Sequence, residues 1–284
     1  MSIVISHGDK GGVGKSLLMC AAIDYRANKK GFDSEKLVIL DADPRNADVF
    51  RMFDGFPAYG RSERISLATK EDWMKLVDRI QDGEGKDLDY MLSMPAGIGS
   101  ILSKEGAKFG DLVGHLGHDI TMFWTIDRMP DSVNLLKRAM FDIGGKVKQT
   151  ILVKNLFFGE ADSFTRWDNS FLRQLFLLQG GIEANLPELH EWVIDQVIGD
   201  QLGEEDVKDV LLKMGVLAAD KMTASQAHRT VPFSELLKRT DLRLTLRGEM
   251  EEWLRRVEVF FKQIELQTAE KTGTGEPAKK SRKE

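Results

Sequence analysis

Residues 2–16, SIVISHGDKGGVGKS, decide how the fold begins. The apolar run SIVIS predicts a buried β-strand, and four glycines follow it before Lys15 and Ser16. The next stretch, LLMCAAIDYRANKK, completes a predicted helix over 15–30. A strand, a glycine-rich turn and a helix in this order predict a loop whose backbone N–H groups converge on phosphate oxygens at the helix N-terminus.

Two side chains in this loop carry the chemistry that a nucleotide triphosphate requires. Lys15 supplies a point charge to the β- and γ-phosphates, and the Ser16 hydroxyl is placed to ligate Mg²⁺. The glycines permit backbone turns that bulkier residues resist. The residues expected to contact the nucleotide are Gly11, Gly12, Val13, Gly14, Lys15, Ser16 and Leu17.

Further along the chain, buried apolar runs alternate with helical patterns. Strands are predicted at 36–40, 89–94, 119–126, 149–155 and in IEANL, and helices at 67–81, 131–143, 166–178 and 188–202. This alternation predicts a three-layer α/β/α fold around a mostly parallel sheet, with 54–88 interpreted as a surface excursion between strands. The helical C-terminal part ends in an amphipathic helix, so we expect one domain over 1–266 and a disordered, basic tail over 267–284.

Composition narrows the class of protein. Forty Lys and Arg against 45 Asp and Glu give a net charge of -5, which argues against a polycationic nucleic-acid coat. Cys20 is the single cysteine, so a disulfide scaffold is excluded and a reducing cytoplasm fits best. We expect neither a secretion signal nor a transmembrane segment, because no stretch approaches the ~20 apolar residues that span a bilayer.

The string KGGVGKS at 10–16 resembles the deviant Walker A motif of the ParA/MinD family of P-loop ATPases. The resemblance implies ATP and Mg²⁺ as cofactors and an ATP-dependent homodimer in which Lys10 reaches the nucleotide of the partner subunit. One lysine from each side would offset the negative charge of a triphosphate held between two subunits. The alternative for Lys10 is an ordinary exposed lysine.

Two carboxylates follow the second predicted strand in LDADP. Asp41 and Asp43 fall at the C-terminal end of a parallel strand, where open α/β sheets collect their ligands. This stretch is similar to the D-x-D-P region of the same family, which implies that Asp43 orients or activates the attacking water and that Asp41 supports Mg²⁺. The alternative is that they cap the turn near Asn46.

Three further positions match the family less completely. DYMLSMPAG is similar to the end of the Walker B strand, but Ser93 stands where the family has a magnesium-holding Asp, which predicts slow, partner-stimulated hydrolysis. Asn155 resembles the residue that contacts adenine, and Pro187 resembles the start of the loop that covers the base. An alternative for Asn155 is that its side chain merely caps a turn.

Within the family, the chain looks like a plasmid partition protein or a TraL-like accessory ATPase of conjugative transfer. The alternatives are an ATP-dependent ligase or kinase of the same superfamily and a MinD-like membrane-positioning ATPase. The expected partners are a second copy, a DNA-transfer or partition protein, and non-specific DNA bound by a local basic patch. A solvated helix face with a solubilising tail is the other interpretation of this patch, whose members are Arg229, Lys238, Arg239, Arg243, Arg247, Arg255, Arg256 and 279–283.

Overall fold

Seven parallel strands form the central sheet in the computed structural model, which describes residues 1–142, 146–198 and 230–272. The strand order across the sheet is β3-β2-β4-β1-β5-β6-β7. The strands are β1 (Ser2–His7), β2 (Leu37–Asp41), β3 (Arg61–Arg64), β4 (Asp89–Ser93), β5 (Asp119–Ile126), β6 (Gln149–Asn155) and β7 (Ile182–Leu186).

The strand that leads into the glycines lies at the centre of this sheet. β1 pairs with β4 on one side, where Ser6 is opposite Ser93, and with β5 on the other, where His7 is opposite Trp124. Because all the pairings are parallel, the C-terminal ends of the strands share one edge, and the segments that follow them meet there.

Helices connect the strands and cover the two faces of the sheet. They are α1 (Lys15–Ala27), α2 (Asp48–Phe53), α3 (Lys70–Gln81), α4 (Gly99–His115), α5 (Pro130–Asp142), α6 (Thr165–Asp168) and α7 (Phe171–Leu178). After the last strand follow α8 (Glu191–Ile198), α9 (Phe233–Leu236) and α10 (Leu244–Thr272). The three-layer α/β/α fold expected from the sequence is therefore confirmed.

One face of the sheet carries two apolar clusters. In the first, alternate residues of β1 such as Ile3 and Ile5 are fully buried with Trp73 of α3 and Phe109 of α4. In the second, Trp124 of β5 packs among residues of β6, α5 and α7. Alternation along the strands sends the intervening side chains to the other face.

On that other face, α1 contributes a buried apolar stripe, and the end of α10 lies beside it. The Phe261 ring stacks on Tyr25 of α1 with centroids 4.9 Å apart and meets Phe123 of β5 edge to face at 6.2 Å. Contacts divide the chain into two units, Met1–Glu188 with Arg255–Glu284, and Leu189–Leu254. Within the second unit, the buried rings of Phe233 and Trp253 are in contact.

Several predicted elements differ from the structure. The surface excursion at 54–88 includes a short edge strand, β3, and the sequence patterns missed helix α4. The predicted helix 166–178 is two helices, α6 and α7. Helix α10 runs to Thr272, so residues 267–272 are helical rather than part of a disordered tail. Residues 273–284 lie outside the described residues, as do 199–202 of the predicted helix 188–202.

The membrane prediction concerns helix length and hydropathy. In the part of the chain that the structure describes, no helix combines the length and apolar character needed to cross a bilayer.

The buried sheet predicts a sharp contrast between two leucines. Leu152 of β6 is fully buried, whereas Leu178 at the end of α7 is 83% exposed. We expect Leu152→Ala to lower the free energy of unfolding by about 2–5 kcal/mol, because it leaves a cavity. Leu178→Ala removes the same atoms from the surface and should change it by less than about 0.5 kcal/mol. Urea unfolding measures both, and equal losses would contradict the buried position of β6.

Candidate functional site

The segment between β1 and α1, which we call the glycine loop (Gly8–Gly14), is built so that glycine is required at its two ends. Gly14 has a φ of 95°, and a Cβ placed on it would lie 2.3 Å from the amide nitrogen of the Asn155 side chain. A Cβ on Gly8 would lie 2.9 Å from the carbonyl oxygen of Thr125. The loop is therefore seated closely on the ends of β5 and β6.

Lys15, the first residue of α1, turns its side chain back under this loop. It is only 8% exposed, and its ammonium donates a hydrogen bond of 2.5 Å to the carbonyl of Lys10. Burial lowers the pKa of Lys15, while the Asp43 and Asp9 carboxylates act in the opposite direction. Ser16 and Leu17 follow in the first turn of the helix, and both are half-buried.

The second lysine of the loop is engaged inside its own chain. Lys10 Nζ lies 2.7 Å from an oxygen of Asp127, the residue that follows β5. Asp127 also accepts hydrogen bonds from the Ser132 hydroxyl and, at 2.9 Å, from the Met129 amide. The sequence patterns missed Asp127, although an acidic residue directly after a buried parallel strand is the signal that identified Asp41.

Asp41 lies at the end of β2 and is almost fully buried. Its two carboxylate oxygens accept hydrogen bonds of 3.0 Å from the backbone amides of Asp43 and Phe50. Burial raises the pKa of Asp41 to about 6, although these two bonds favour the charged form, and the Asp43 and Asp48 carboxylates raise it further. Asp41 therefore fixes the turn after β2 as well as supplying charge.

Asp43 lies two residues further on and is half-buried. One of its oxygens accepts hydrogen bonds of 2.9 Å from the amides of both Arg45 and Asn46. The turn-capping alternative for Asp43 is thus present in the structure. Its proposed action on a water stays a prediction.

Ser93 ends β4 directly beside Asp41, its partner in the β2–β4 register. Ser93 is 2% exposed, so β4 ends in a buried hydroxyl. The carboxylate beside it is that of Asp41, at the end of the neighbouring strand β2. The segment after Ser93 is tied to the glycine loop by Asp9, another residue that the sequence patterns missed. Asp9 accepts bonds of 2.9 Å from the amides of Gly97, through its carbonyl, and Gly99, through its carboxylate.

The two residues expected near a base differ in what the structure shows of them. The Asn155 side chain donates a 3.0 Å hydrogen bond to the Val13 carbonyl and accepts one of 3.1 Å from the Phe157 amide. Its turn-capping alternative is confirmed, and contact with a base stays a prediction. Pro187 is buried directly after β7, and β5 and β6 separate that strand from β1.

His7 is a further residue that the sequence patterns missed. It is fully buried at the end of β1, and its ring lies edge to face against Trp124 with centroids 4.7 Å apart. Neither ring nitrogen has a hydrogen-bond partner among the residues that the structure describes. Burial lowers the pKa of His7 to about 3, and the nearby Lys15 charge adds to this effect. A neutral imidazole therefore underlies the glycine loop.

The predicted DNA patch is partly used in contacts within the protein. Lys238 and Arg239 form ion pairs with Glu235 and Asp241, and Arg247 donates a 2.7 Å hydrogen bond to the Leu237 carbonyl. Arg229 and residues 279–283 lie outside the described residues. DNA binding stays a prediction.

Comparison with known proteins finds a similarity that covers most of the chain. No family model matches this sequence. The chain is similar to Protein MobD of Acidithiobacillus ferrooxidans, with 27% identity over 201 residues that cover 71% of this chain and 84% of the relative. This similarity extends far beyond the glycine loop. Membership of the ParA/MinD family stays a prediction.

The buried imidazole predicts a specific loss of stability in acid. The unfolded chain takes up a proton on His7 near pH 6.5, whereas the folded protein resists it until about pH 3. The contribution of His7 to the free energy of unfolding should therefore fall by about 2 kcal/mol on going from pH 7 to pH 5. Urea unfolding of His7→Phe should lack this component, which the difference between the two proteins isolates. His115→Phe, at an exposed position, is the control, and parallel pH profiles for wild type and His7→Phe would contradict the assignment.

Proposed function

We propose that this chain is an ATP-binding, slowly hydrolysing switch that forms a nucleotide-sandwich homodimer and acts in plasmid mobilisation or conjugative DNA transfer. The observation that carries the proposal is the glycine loop at the central strand end, with the Lys15 ammonium turned beneath it. This arrangement suits a phosphate group because backbone amides and a cation converge at a helix N-terminus.

The surroundings of Lys15 favour an anionic ligand. Its ammonium is buried and bonded to a neutral carbonyl, and the ion pairs seen among the described residues do not include it. A buried cation without a paired anion is unfavourable, which is the reason that burial lowers the pKa of Lys15. A triphosphate would supply the missing negative charge, so binding and the charged form of Lys15 would stabilise one another.

Ser16 and Asp41 are the residues that would hold Mg²⁺. The donor set fits, because a hydroxyl oxygen and a carboxylate are hard oxygen ligands, and Mg²⁺ takes its remaining ligands from water and phosphate. When bound, the metal neutralises charge on the phosphates. Asp43, which is next to this region, is the candidate to orient the attacking water.

The residues at the C-terminal edge of the sheet favour slow ATP hydrolysis. β4 ends in the uncharged hydroxyl of Ser93, and the neighbouring carboxylate of Asp41 already accepts two backbone hydrogen bonds. Asp41 would thus hold the turn and the metal at once. Such a site suits a switch in which nucleotide state, rather than flux, carries the information.

The similarity to Protein MobD supports the biological setting of the proposal. It favours plasmid mobilisation or conjugation over chromosome partition. A switch in this setting would present different surfaces to a DNA-transfer partner in its two nucleotide states.

The first test of this proposal measures binding of the triphosphate. Calorimetry of the wild-type chain with ATP and Mg²⁺ should show saturable binding, and Lys15→Ala should weaken it about 10- to 100-fold through loss of a charge-assisted bond. Lys30→Ala removes an equal charge from beyond the far end of α1 and should leave the affinity unchanged. Absence of binding by the wild type would refute the proposal.

The second test of this proposal measures whether nucleotide controls formation of the homodimer. Light scattering after gel filtration should show a dimer with ATP and Mg²⁺ and a monomer with ADP. Lys10→Ala should abolish the shift while keeping the affinity for nucleotide, because in its own chain the lysine side chain pairs with Asp127 and would contact only the nucleotide of the neighbouring copy. A permanent oligomer that ignores nucleotide would instead favour a ligase or kinase.

A further inference from the structure

The lysine assigned to the dimer interface is bound to a carboxylate of its own chain. Lys10 Nζ and Asp127 are 2.7 Å apart, and the side chains are 28% and 9% exposed. The pair joins the glycine loop after β1 to the segment after β5, the adjacent strand. An ion pair with one partly buried member is held more firmly than a surface pair, because water screens it less.

Asp127 is fixed in place independently of the lysine. The Ser132 hydroxyl and the Met129 amide both donate to its Oδ1 atom, and the lysine contacts the other oxygen, Oδ2. Burial alone would raise the pKa of Asp127, but the bonds from Lys10, Ser132 and Met129 outweigh it and hold the pKa below its usual range. Asp127 is therefore an ionised carboxylate in a rigid position, aimed at Lys10.

The Lys10 backbone is engaged as well. Its carbonyl accepts the hydrogen bond from the Lys15 ammonium, and its amide donates to the Gly8 carbonyl at 2.5 Å. With the backbone so held, Lys10 can change partners mainly by swinging its side chain. A swing away from Asp127 would leave that carboxylate with two neutral donors and no cation, which costs free energy at a site so little exposed.

We propose that Asp127 is a positioning residue that holds Lys10 within its own chain and competes for it with the triphosphate bound to a neighbouring copy. The inference rests on the proposed nucleotide-sandwich dimer and adds its regulation. Dimerisation then exchanges a carboxylate partner for a phosphate partner. Because Asp127 holds Lys10, this exchange needs a higher nucleotide concentration, and we call the concentration of half-maximal dimerisation the threshold. ADP, which lacks the γ-phosphate, does not bring about the exchange.

The test removes the charge of Asp127 and keeps its shape. Asp127→Asn retains an oxygen for the Ser132 and Met129 donors but no longer attracts the ammonium. We expect half-maximal dimerisation at an ATP concentration about tenfold lower than in the wild type. Asp127→Glu, which restores the charge, should bring the threshold back toward the wild-type value. Asp131→Asn, an exposed acid four residues away, is the matched control and should leave the threshold unchanged.

A second readout follows the lysine itself. Mass spectrometry after brief acetic anhydride treatment, without nucleotide, should show faster acetylation of Lys10 in Asp127→Asn than in the wild type. The reactivity of Lys30 should be equal in the two proteins. This comparison reports the ion pair without requiring a dimer.

The outcomes separate this inference from the proposed function. If Asp127→Asn leaves either the threshold or Lys10 acetylation unchanged, the competition is refuted while the ATP-dependent dimer stands. If the wild type binds ATP but never dimerises, both proposals fall. A lowered threshold together with faster acetylation of Lys10 supports the inference.

Discussion

A hydrogen bond between the Asn155 side chain and the Val13 carbonyl joins the end of β6 to the glycine loop, across the intervening strand β5. The close approach of the two segments leaves no space for a side chain on Gly14, and the left-handed conformation there lets α1 begin at Lys15. The contact depends in turn on parallel pairing, which brings residues far apart in sequence to one edge. The direction of α1 and the place of Lys15 both follow from this one constraint.

At the same edge, some of the charged side chains are paired, and others are buried without an ionic partner among the described residues. Asp127 and Lys10 neutralise one another, whereas Lys15 and Asp41 are buried without an ionic partner among the described residues, and burial shifts the pKa of each toward the neutral form. These two groups carry opposite charges that a metal-bound triphosphate would complement, the phosphates at Lys15 and the metal at Asp41. The two groups whose burial is unfavourable thus lie where a charged ligand would stabilise them, which is common at functional sites.

The sequence patterns predicted the strands and helices whose apolar residues form regular spacings or continuous runs. They missed the elements whose position depends on packing. β3 is a charged edge strand, RSER, that exists because β2 offers it an open pairing side. Helix α4 carries four glycines, which hide the spacing of its buried Leu102, Phe109 and Val113. Helix α10 is longer than its apolar pattern, and near its end Lys271 bonds the Gly180 and Gly181 carbonyls. The glycine loop was predictable because its chemistry is local. The position of Asp127 after β5 was predictable as well, but its pairing with Lys10, like the contact of His7 with Trp124, depends on neighbours brought there by folding.

The opposite edge of the sheet shows why changes at the glycine loop should stay local. There Asp89 accepts hydrogen bonds from the amide and hydroxyl of Ser2 and forms an ion pair with Arg26, near the end of α1. Helix α1 is thus attached to the starts of β1 and β4, while its first residue lies in the site. A helix fixed at one end and buried along its length transmits little axial movement. The parts left to respond are side chains at the C-terminal edge, among them Lys10, whose ammonium has another side chain, Asp127, as its partner.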